Sequence, residues 1–298
     1  MTAIFQKILG RQKPHPEQNE ATLPLSQVLP VAAPTRDHST SSLEWVFASA
    51  QSVGRQREHN EDALFTFGSH MGFEESQTFV GFFAVADGMG GHANGELASG
   101  LAVRTIAEQV VKKSLDYFFS NDSAPQAAEL KELLLIATQE ANQEVKNKVP
   151  GGGTTLTALL IIQDQLLLTH VGDSRAYLIT SEGVPHLLTH DHSFVRQLVD
   201  LGQISAEEAA VHPQRNILSM ALGQWEPLEP DFVTQPIPDK GHILICSDGL
   251  WGVLPDRNIV EIIQTTNDLS DACHKLIGAA NQAGGPDNIT AILIRIPN

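Results

Sequence analysis

The chain has 298 residues and is 42% hydrophobic, which is enough for one large domain or two modest ones. Its formal net charge of −16 argues against nucleic acid or an anionic membrane as a general partner. We find no membrane-spanning apolar run, no signal-peptide pattern and no disulfide framework around the two cysteines. We therefore expect a protein of a reducing compartment, the cytoplasm.

Residues 1–44 differ in composition from the rest of the chain. They contain five of the sixteen prolines, many Ser, Thr and Gln residues, and no sustained hydrophobic period. This composition predicts a flexible tail or linker. A small apolar cluster at residues 4–9 could form a docking helix, but a frayed terminus fits better because so short a helix is marginal in water.

Strands and helices alternate in the first half of the remaining chain, residues 45–298. Two short strands are predicted on either side of the polar insert Gly54–Asp62, and the next strand is Thr78–Ala86. Helices are predicted at His92–Leu115 and Gln126–Lys148, because apolar or small residues recur there every three or four positions.

The second half of the chain adds hairpins, one long polar segment and a closing strand. Residues His190–Gly223 are helical and polar, with a capping-box start at Ser205 and Glu208, and we expect a flap outside the sheets. Hairpins and helix pairs without regular βαβ units favour an α+β fold, an antiparallel sandwich covered by helices. The other predicted strands are Thr154–Ile162, Gln165–Thr169, Ser174–Thr180, His242–Ser247 and Ile289–Ile296, with helices at Asn258–Gln264 and Ser270–Gln282.

Acidic residues stand at the end or bend of a predicted strand in five places. The clearest is Phe82–Gly91, where a buried apolar run ends in Asp87 and three glycines follow in four positions. An uncompensated carboxylate there would be costly, and the glycines allow a sharp turn and the close approach of a ligand. The other four places contain Glu61 and Asp62, Asp173, Asp248, and Asp287.

The chemistry of such a set points to divalent ions. Strand ends of one sheet share a rim, so several of these acids could converge, and carboxylates that close repel each other unless cations neutralise them. Oxygen ligands without clustered His or Cys suit Mg²⁺ or Mn²⁺. Two such ions can activate a bridging water for attack on phosphorus, and Arg57 could bind the phosphate. The residues thus predict a two-metal phosphoester hydrolase.

Each motif alone has a simpler explanation. An acid beside glycine is commonly a turn residue, and the Glu61-Asp62 pair could be a solvated loop. Asp173 could pair with Arg175, and Asp287-Asn288 could cap a turn. Only the joint occurrence of the five favours a metal site.

Taken together, the motifs resemble those of a known family, the metal-dependent protein serine/threonine phosphatases of the protein phosphatase 2C type. The resemblance covers residues 52–296, follows the family order, and is similar to the bacterial branch. It implies a four-layer α-β-β-α sandwich with a variable flap beside the site. The matching motifs are Arg57…Glu61-Asp62, Asp87–His92 (DGMGGH), Gly152–Thr155 (GGTT), Val171–Arg175 (VGDSR), Ser247–Trp251 (SDGLW) and Gly285–Thr290 (GPDNIT).

The resemblance also implies a role for each site residue. Asp87 would bridge two Mn²⁺ or Mg²⁺ ions, the Gly88 carbonyl would contribute to one of them directly or through water, and Asp248 and Asp287 would complete the other. Arg57 would bind the substrate phosphate. Glu61 and Asp62 would be ligands or water-holding groups at this first pair of metals. Asp173 would, with Asp248, hold a third, weaker metal.

One position departs from the animal members of the family. They carry a histidine two residues after the bridging Asp, proposed as a general acid, where this chain has Met89. Methionine cannot donate a proton. His59 and His92 are near in sequence but fit structural or surface roles better, so the general acid stays unassigned.

The sequence therefore predicts an active protein serine/threonine phosphatase over residues 45–298, with the flap at about 190–223. We expect a monomer whose substrates are phosphoproteins made by a serine/threonine kinase. Two alternatives stay open: a degenerate phosphatase fold that binds phosphoproteins without turnover, and a metal-dependent phosphatase of small phosphoesters. The sequence does not decide whether phosphotyrosine is accepted.

Overall fold

The computed structural model describes residues 44–73, 76–91, 93–119 and 125–297. The predicted tail falls outside this range except for Glu44, and His92 falls outside it too, so what we expect of them stays a prediction. Within the described residues the chain forms two antiparallel β-sheets and seven helices.

Each sheet combines hairpin neighbours with strands that are distant in sequence. All strand pairs are antiparallel. Sheet I has the order β1 (Val46–Ser52), β11 (Ile289–Ile296), β10 (Gly241–Cys246), β7 (Arg175–Thr180) and β8 (Pro185–Leu187). Sheet II has the order β2 (Asp62–Phe73), β3 (Ser76–Met89), β5 (Leu156–Ile162), β6 (Gln165–Val171) and β9 (Asp231–Pro236), with the two-residue β4 (Gly153–Thr154) paired to the end of β3.

Helices cover the outer face of each sheet. The helices are α1 (Ala93–Phe119), α2 (Ala127–Lys148), α3 (Phe194–Asp200), α4 (Ala206–Ala210), α5 (Asp248–Trp251), α6 (Asp256–Thr265) and α7 (Leu269–Gln282). The first two pack on sheet II, and α6 and α7 pack on sheet I. The predicted four-layer α-β-β-α sandwich is therefore confirmed. No helix in the described ranges is long and apolar enough to cross a membrane.

The core explains why the central strands are apolar on both faces. In β3, Phe82 and Ala84 pack under α1 and α2, whereas Phe83 and Val85 face sheet I. Residues of β11 alternate in the same way, so that Ile292 contributes to the layer between the sheets. A strand buried on both faces has no polar face to present, and the alternation of exposed antiparallel strands is absent.

The predicted strand Thr154–Ile162 is interrupted in the structure. The residue Thr155 lies between β4 and β5, and both its backbone amide and its hydroxyl bond to the Asp87 peptide, at 2.9 and 2.8 Å. These side-chain and backbone bonds take Thr155 out of the strand ladder. The short elements β8, β9 and α5 were not predicted, because each is too short or too mixed in polarity to give a periodic signal.

Residues 190–223 contain α3 and α4, and the capping box between Ser205 and Glu208 is present as predicted. One isolated bridge, between Thr154 and Leu222, connects this segment to the residues around it, and a second, between Ser193 and Leu218, lies within the segment. We call residues 190–223 the flap, the name already given to the predicted segment. Its influence on substrate choice stays a prediction.

The packing of the core predicts that replacing a buried leucine lowers the free energy of unfolding far more than replacing an exposed one. The substitution Leu160→Ala, at a side chain that is 0% exposed, should lower the free energy of unfolding by about 2–5 kcal/mol, because it leaves a cavity. The matched change Leu97→Ala, at a residue 60% exposed on α1, should cost less than about 0.5 kcal/mol. Urea denaturation measures both. Equal losses for the two variants would contradict the assigned core.

Candidate functional site

The predicted acidic residues meet in one cleft at strand ends from both sheets. Asp87 is near the end of β3 in sheet II, Asp248 follows β10 in sheet I, and Asp287 precedes β11. The cleft has a volume of about 240 Å³. Its lining includes seven of the eight predicted site residues, namely Arg57, Glu61, Asp87, Gly88, Asp173, Asp248 and Asp287.

Asp87 is fixed through its own backbone. Its amide donates to the Thr155 hydroxyl at 2.8 Å, and its carbonyl accepts from the Thr155 amide and the Thr154 hydroxyl, both at 2.9 Å. With the main chain held on both sides of the peptide, the carboxylate has little freedom except rotation about its own side-chain bonds. The structure therefore presents Asp87 to the cleft in a preset position.

Glycines let three backbone segments meet directly beside Asp87. A Cβ atom on Gly88 would lie 2.2 Å from the carbonyl oxygen of Gly95, and one on Gly95 would lie 1.9 Å from Glu61 Oε2. The Gly88 amide also donates to the Glu61 carbonyl at 3.1 Å. The Glu61 carboxylate thus lies against the first turn of α1, where unpaired amides and the helix dipole favour a negative charge.

Asn288 holds the polar insert that carries Glu61. Its side-chain oxygen accepts from the Glu61 amide at 2.8 Å, and its side-chain nitrogen donates to the carbonyls of Val53 and His59, at 2.9 and 2.8 Å. The side chain is buried, and these three bonds join the start of β11 to both ends of the insert. Sequence reasoning treated Asn288 as a turn cap and missed this positioning role.

Asp62 lies behind the cleft rather than in its lining. It is paired with Asp87 across β2 and β3, and its Oδ2 accepts from the hydroxyls of Ser247 and Thr290, at 2.8 and 2.6 Å. Oδ1 of Asp62 is buried and has no hydrogen-bond partner. The predicted role of Asp62 as a ligand or water-holding group stays a prediction.

Burial and mutual repulsion raise the pKa values of these carboxyl groups. Burial is the largest cause, and it raises the pKa values of Asp87 and Asp173 well above the ordinary value. Burial also raises the pKa of Asp62 to about 7, and burial with the charge of Asp287 raises that of Asp248 to about 6. Several negative charges in one buried cleft are unfavourable without a compensating positive charge.

The donor set fits hard divalent cations. It consists of carboxylate oxygens and one backbone carbonyl, the ligands that Mg²⁺ and Mn²⁺ prefer. Oδ1 of Asp248 is buried and unpaired, like Oδ1 of Asp62, so two carboxylate oxygens have unused lone pairs. A polar atom in that state normally has a ligand or water as its partner.

Among the residues with described positions, the one group of three potential His, Cys, Asp or Glu ligands within 4.8 Å of one another is His190, His192 and Asp231. The carboxylates of the acidic cleft are therefore spaced more widely, and an ion shared by three of them would draw them together. At the histidine group, His192 Nδ1 accepts from the Gly172 amide at 3.2 Å, so the proton of a neutral ring is on Nε2, 3.2 Å from Asp231. The histidine group is explained as a hydrogen-bond network.

Arg57 stands at the rim of the cleft. Its guanidinium pairs with the Asp287 carboxylate at 2.7 Å, and its side chain is 50% exposed. The hydrogen bond to Asp287 is the main cause that raises the pKa of Arg57. An arginine so placed can reach both the acidic cluster and a phosphate that enters from solvent.

The alternative that Asp173 pairs with Arg175 is wrong. The Arg175 guanidinium instead binds both oxygens of Asp191, at 3.0 and 2.7 Å, and lies 3.5 Å from the centre of the Trp251 ring. The Trp251 indole N–H donates to the Asp173 carbonyl at 3.0 Å. This arrangement leaves the Asp173 carboxylate available to the cleft and connects it to the flap through Asp191.

The general acid stays unassigned. Met89, which the family resemblance aligns with the histidine of animal members, lines the cleft. The carbonyl of His59 accepts a hydrogen bond from Asn288, and His92 lies outside the described residues.

The chain is similar to known bacterial serine/threonine phosphatases. The family model described as protein phosphatase 2C matches residues 48–289. A serine/threonine phosphatase of Listeria innocua is 37% identical over 247 residues, which is 81% of this chain and 92% of the relative. The solved serine/threonine phosphatase of S. agalactiae is similar with a TM-score of 0.73 and 32% identity, over 84% of this chain and 99% of that one. The catalytic domain of the serine/threonine protein phosphatase PstP, solved with 2 manganese ions, has a TM-score of 0.67 and 30% identity, over 85% of this chain and 99% of that one.

The raised pKa values predict that stability falls with increasing pH when chelator keeps divalent ions away. The pKa of Asp62 is about 7 in the folded state, so its stabilising contribution is full below about pH 4 and is lost as the pH rises through about 7. We expect a lower melting temperature in chelator at about pH 8 than at about pH 5, and a larger stabilisation by Mn²⁺ at the higher pH. Differential scanning fluorimetry measures both. A melting temperature that stays flat or rises with increasing pH, in the wild type and in the control Asp62→Asn alike, would contradict the buried cluster.

Proposed function

The chain belongs to the protein phosphatase 2C family, and from this premise we propose that the acidic cleft is where it hydrolyses phosphoserine and phosphothreonine. The protein is a metal-dependent protein serine/threonine phosphatase, and its substrates are phosphoproteins. The observation that supports the cleft as the site is the convergence of Asp87, Asp173 and Asp248 around one small opening, with Asp173 buried, the other two partly buried and Arg57 at the rim.

The proposed ligand set follows the acids that the fold brings together. Asp87 would contribute to both of two Mn²⁺ or Mg²⁺ sites, the Gly88 carbonyl would contribute to one of them, and Asp248 and Asp287 would complete the other. Glu61 and Asp62 would hold the first pair of ions directly or through water, and Asp173 would, with Asp248, hold a third, weaker ion. When bound, such ions act as Lewis acids that lower the pKa of water and neutralise charge on phosphoryl oxygens.

Side chains of the protein itself orient the substrate phosphate. Arg57 presents a planar guanidinium that can bind two phosphoryl oxygens at once, and its present partner Asp287 is also a proposed ligand. With Asp287 engaged as a ligand, the Arg57 guanidinium would be available to bind the phosphate. Met89 cannot protonate the leaving serine or threonine oxygen, so that proton comes from water or from another side chain.

The two other functions are less well supported. A degenerate binding module would have lost metal-binding carboxylates, and all the predicted ones are present in this chain. A phosphatase of small phosphoesters would still use the same cleft. Catalytic efficiency on phosphopeptides compared with nucleotides distinguishes that alternative from the proposed function.

The remaining proposals concern the setting of the enzyme. We propose that a serine/threonine kinase makes its substrates, that the chain acts as a monomer, and that residues 1–44 are a tail attached to the phosphatase domain over 45–298. The proposed location is the cytoplasm, because Cys246 and Cys273 are both free and buried.

Loss of single carboxylates should abolish most of the Mn²⁺-dependent activity. In Asp87→Asn and in Asp248→Asn we expect the turnover of a phosphothreonine peptide to fall by more than about 100-fold, since even outer-shell partners of a metal contribute about 10- to 100-fold. The control Asp116→Asn removes an exposed acid of α1 and should keep full activity. Phosphate release with Mn²⁺ and with chelator measures the effect. Turnover that survives in chelator, or in both variants, would refute the proposal.

A further inference from the structure

A cavity of about 630 Å³ lies at one end of sheet I. Gly241, the first residue of β10, is paired there with Thr180, the last residue of β7, and with Ile296, the last residue of β11. The cavity thus lies where three adjacent strands have an end. We call it the distal cavity, and its lining includes Lys240, His242, Thr266 and Arg295.

The distal cavity and the acidic cleft are at opposite ends of the same strands. Asp248 follows the last residue of β10, and Asp287 stands just before the first residue of β11. Because β10 has six residues, the two sites are about 20 Å apart. That is about twice the distance over which exposed charges interact at physiological ionic strength. The negative charge of the cleft therefore does not cancel a positive charge in the distal cavity.

His242 and Arg295 line the distal cavity side by side. They are paired across β10 and β11, so their side chains leave the sheet on the same face. The Arg295 guanidinium donates to the carbonyl of Asn267, in the loop between α6 and α7. Burial and the charge of Arg295 lower the pKa of His242 to about 4, so its ring is neutral at neutral pH. The pair offers one fixed positive charge and one neutral ring N–H.

Lys240 adds a second positive charge at the rim of the cavity. It is exposed and directly precedes β10. Within the described part of the chain, neither Lys240 nor Arg295 forms an ion pair, and no Asp or Glu lines the cavity. The hydrogen bond from Ser181 and, more weakly, the charge of Lys240 lower the pKa of Glu182, which is outside the lining. The positive charge of the cavity is therefore left without a matching carboxylate.

The wall and the size of the distal cavity also suit an anion. Thr266 lines the wall, and its hydroxyl accepts from the ammonium group of a third cation, Lys275, at 3.1 Å. A guanidinium can bind two phosphoryl oxygens at once, and an ammonium group can bind another. The volume is within the range of small-molecule sites, about 300–1,000 Å³, so a molecule larger than a phosphate ion can enter.

We propose that the distal cavity binds a small phosphorylated molecule, with its phosphoryl group between Arg295 and Lys240 and a hydrogen bond from His242. The phosphoryl group could belong to an organic phosphate such as a nucleotide, or to free inorganic phosphate, and the two have the same charge chemistry. The inference goes beyond the proposed function, because the cavity shares no lining residue with the acidic cleft.

The test is isothermal titration calorimetry of the full chain with ATP and with inorganic phosphate, in chelator. Without divalent ions the acidic cleft repels anions, so the heat reports binding elsewhere. We expect Lys240→Gln to weaken binding about 2- to 5-fold and Arg295→Gln to weaken it about 10-fold or more. The matched controls Lys112→Gln and Arg104→Gln, at exposed residues of α1 outside the cavity, should bind as wild type does.

The outcomes separate the two sources and the two sites. Binding of ATP at least about 10-fold tighter than that of phosphate identifies an organic phosphate, whereas comparable affinities identify free phosphate. No binding of either probe, or equal affinity in wild type, Lys240→Gln and Arg295→Gln, would overturn the inference. Arg295 also holds the Asn267 carbonyl, so the exposed Lys240 keeps the test valid if Arg295→Gln fails to fold.

Hydrolysis of p-nitrophenyl phosphate with Mn²⁺ is the separate check on the acidic cleft. Its rate should be equal in wild type, Lys240→Gln and the two controls, because none of the three substituted residues lines the cleft. A wild type that binds ATP in chelator but hydrolyses nothing with Mn²⁺ would contradict the proposed function and leave the distal cavity intact.

Discussion

Repulsion among buried carboxylates is the constraint on which the rest of this structure depends. Asp87, Asp173 and Asp248 share one cleft, and burial raises the pKa of each of them. An arrangement of this kind is unfavourable for the folded protein unless cations enter, so the free energy of folding and the affinity for divalent ions are coupled. The coupling arises at polar atoms without hydrogen-bond partners, such as Oδ1 of Asp248, because a bound cation would compensate them.

The sandwich supplies the rigid frame that keeps these charges together. Central strands of both sheets are buried on both faces, and their ends deliver acids to the same rim from opposite directions. Hydrogen bonds then fix the irregular segments: Thr155 holds the Asp87 peptide, and Asn288 holds the insert with Glu61. The flap is joined to this frame through the ion pair between Arg175 and Asp191.

Much of the site could be predicted from the sequence because each acid stands at a local signal, the end or bend of a predicted strand, and several adjoin a glycine. Asp87 and Asp248 are examples, and the same periodicity located the long helices and the layers of the sandwich. What could not be predicted depends on contacts through space. Asp191, rather than Asp173, is the partner of Arg175 because the chain turns back after β8, and nothing local distinguishes the two acids. Strands as short as β8 gave no period at all.

The most direct test of the account is the anomalous scattering of manganese in a crystal of the protein soaked with Mn²⁺. The account predicts two peaks about 3.5–4 Å apart with the Asp87 carboxylate between them, as in other two-metal sites. Asp248 and Asp287 should contact the second peak. Manganese bound only elsewhere, for example at His190, His192 and Asp231, with no peak beside Asp87, would contradict it.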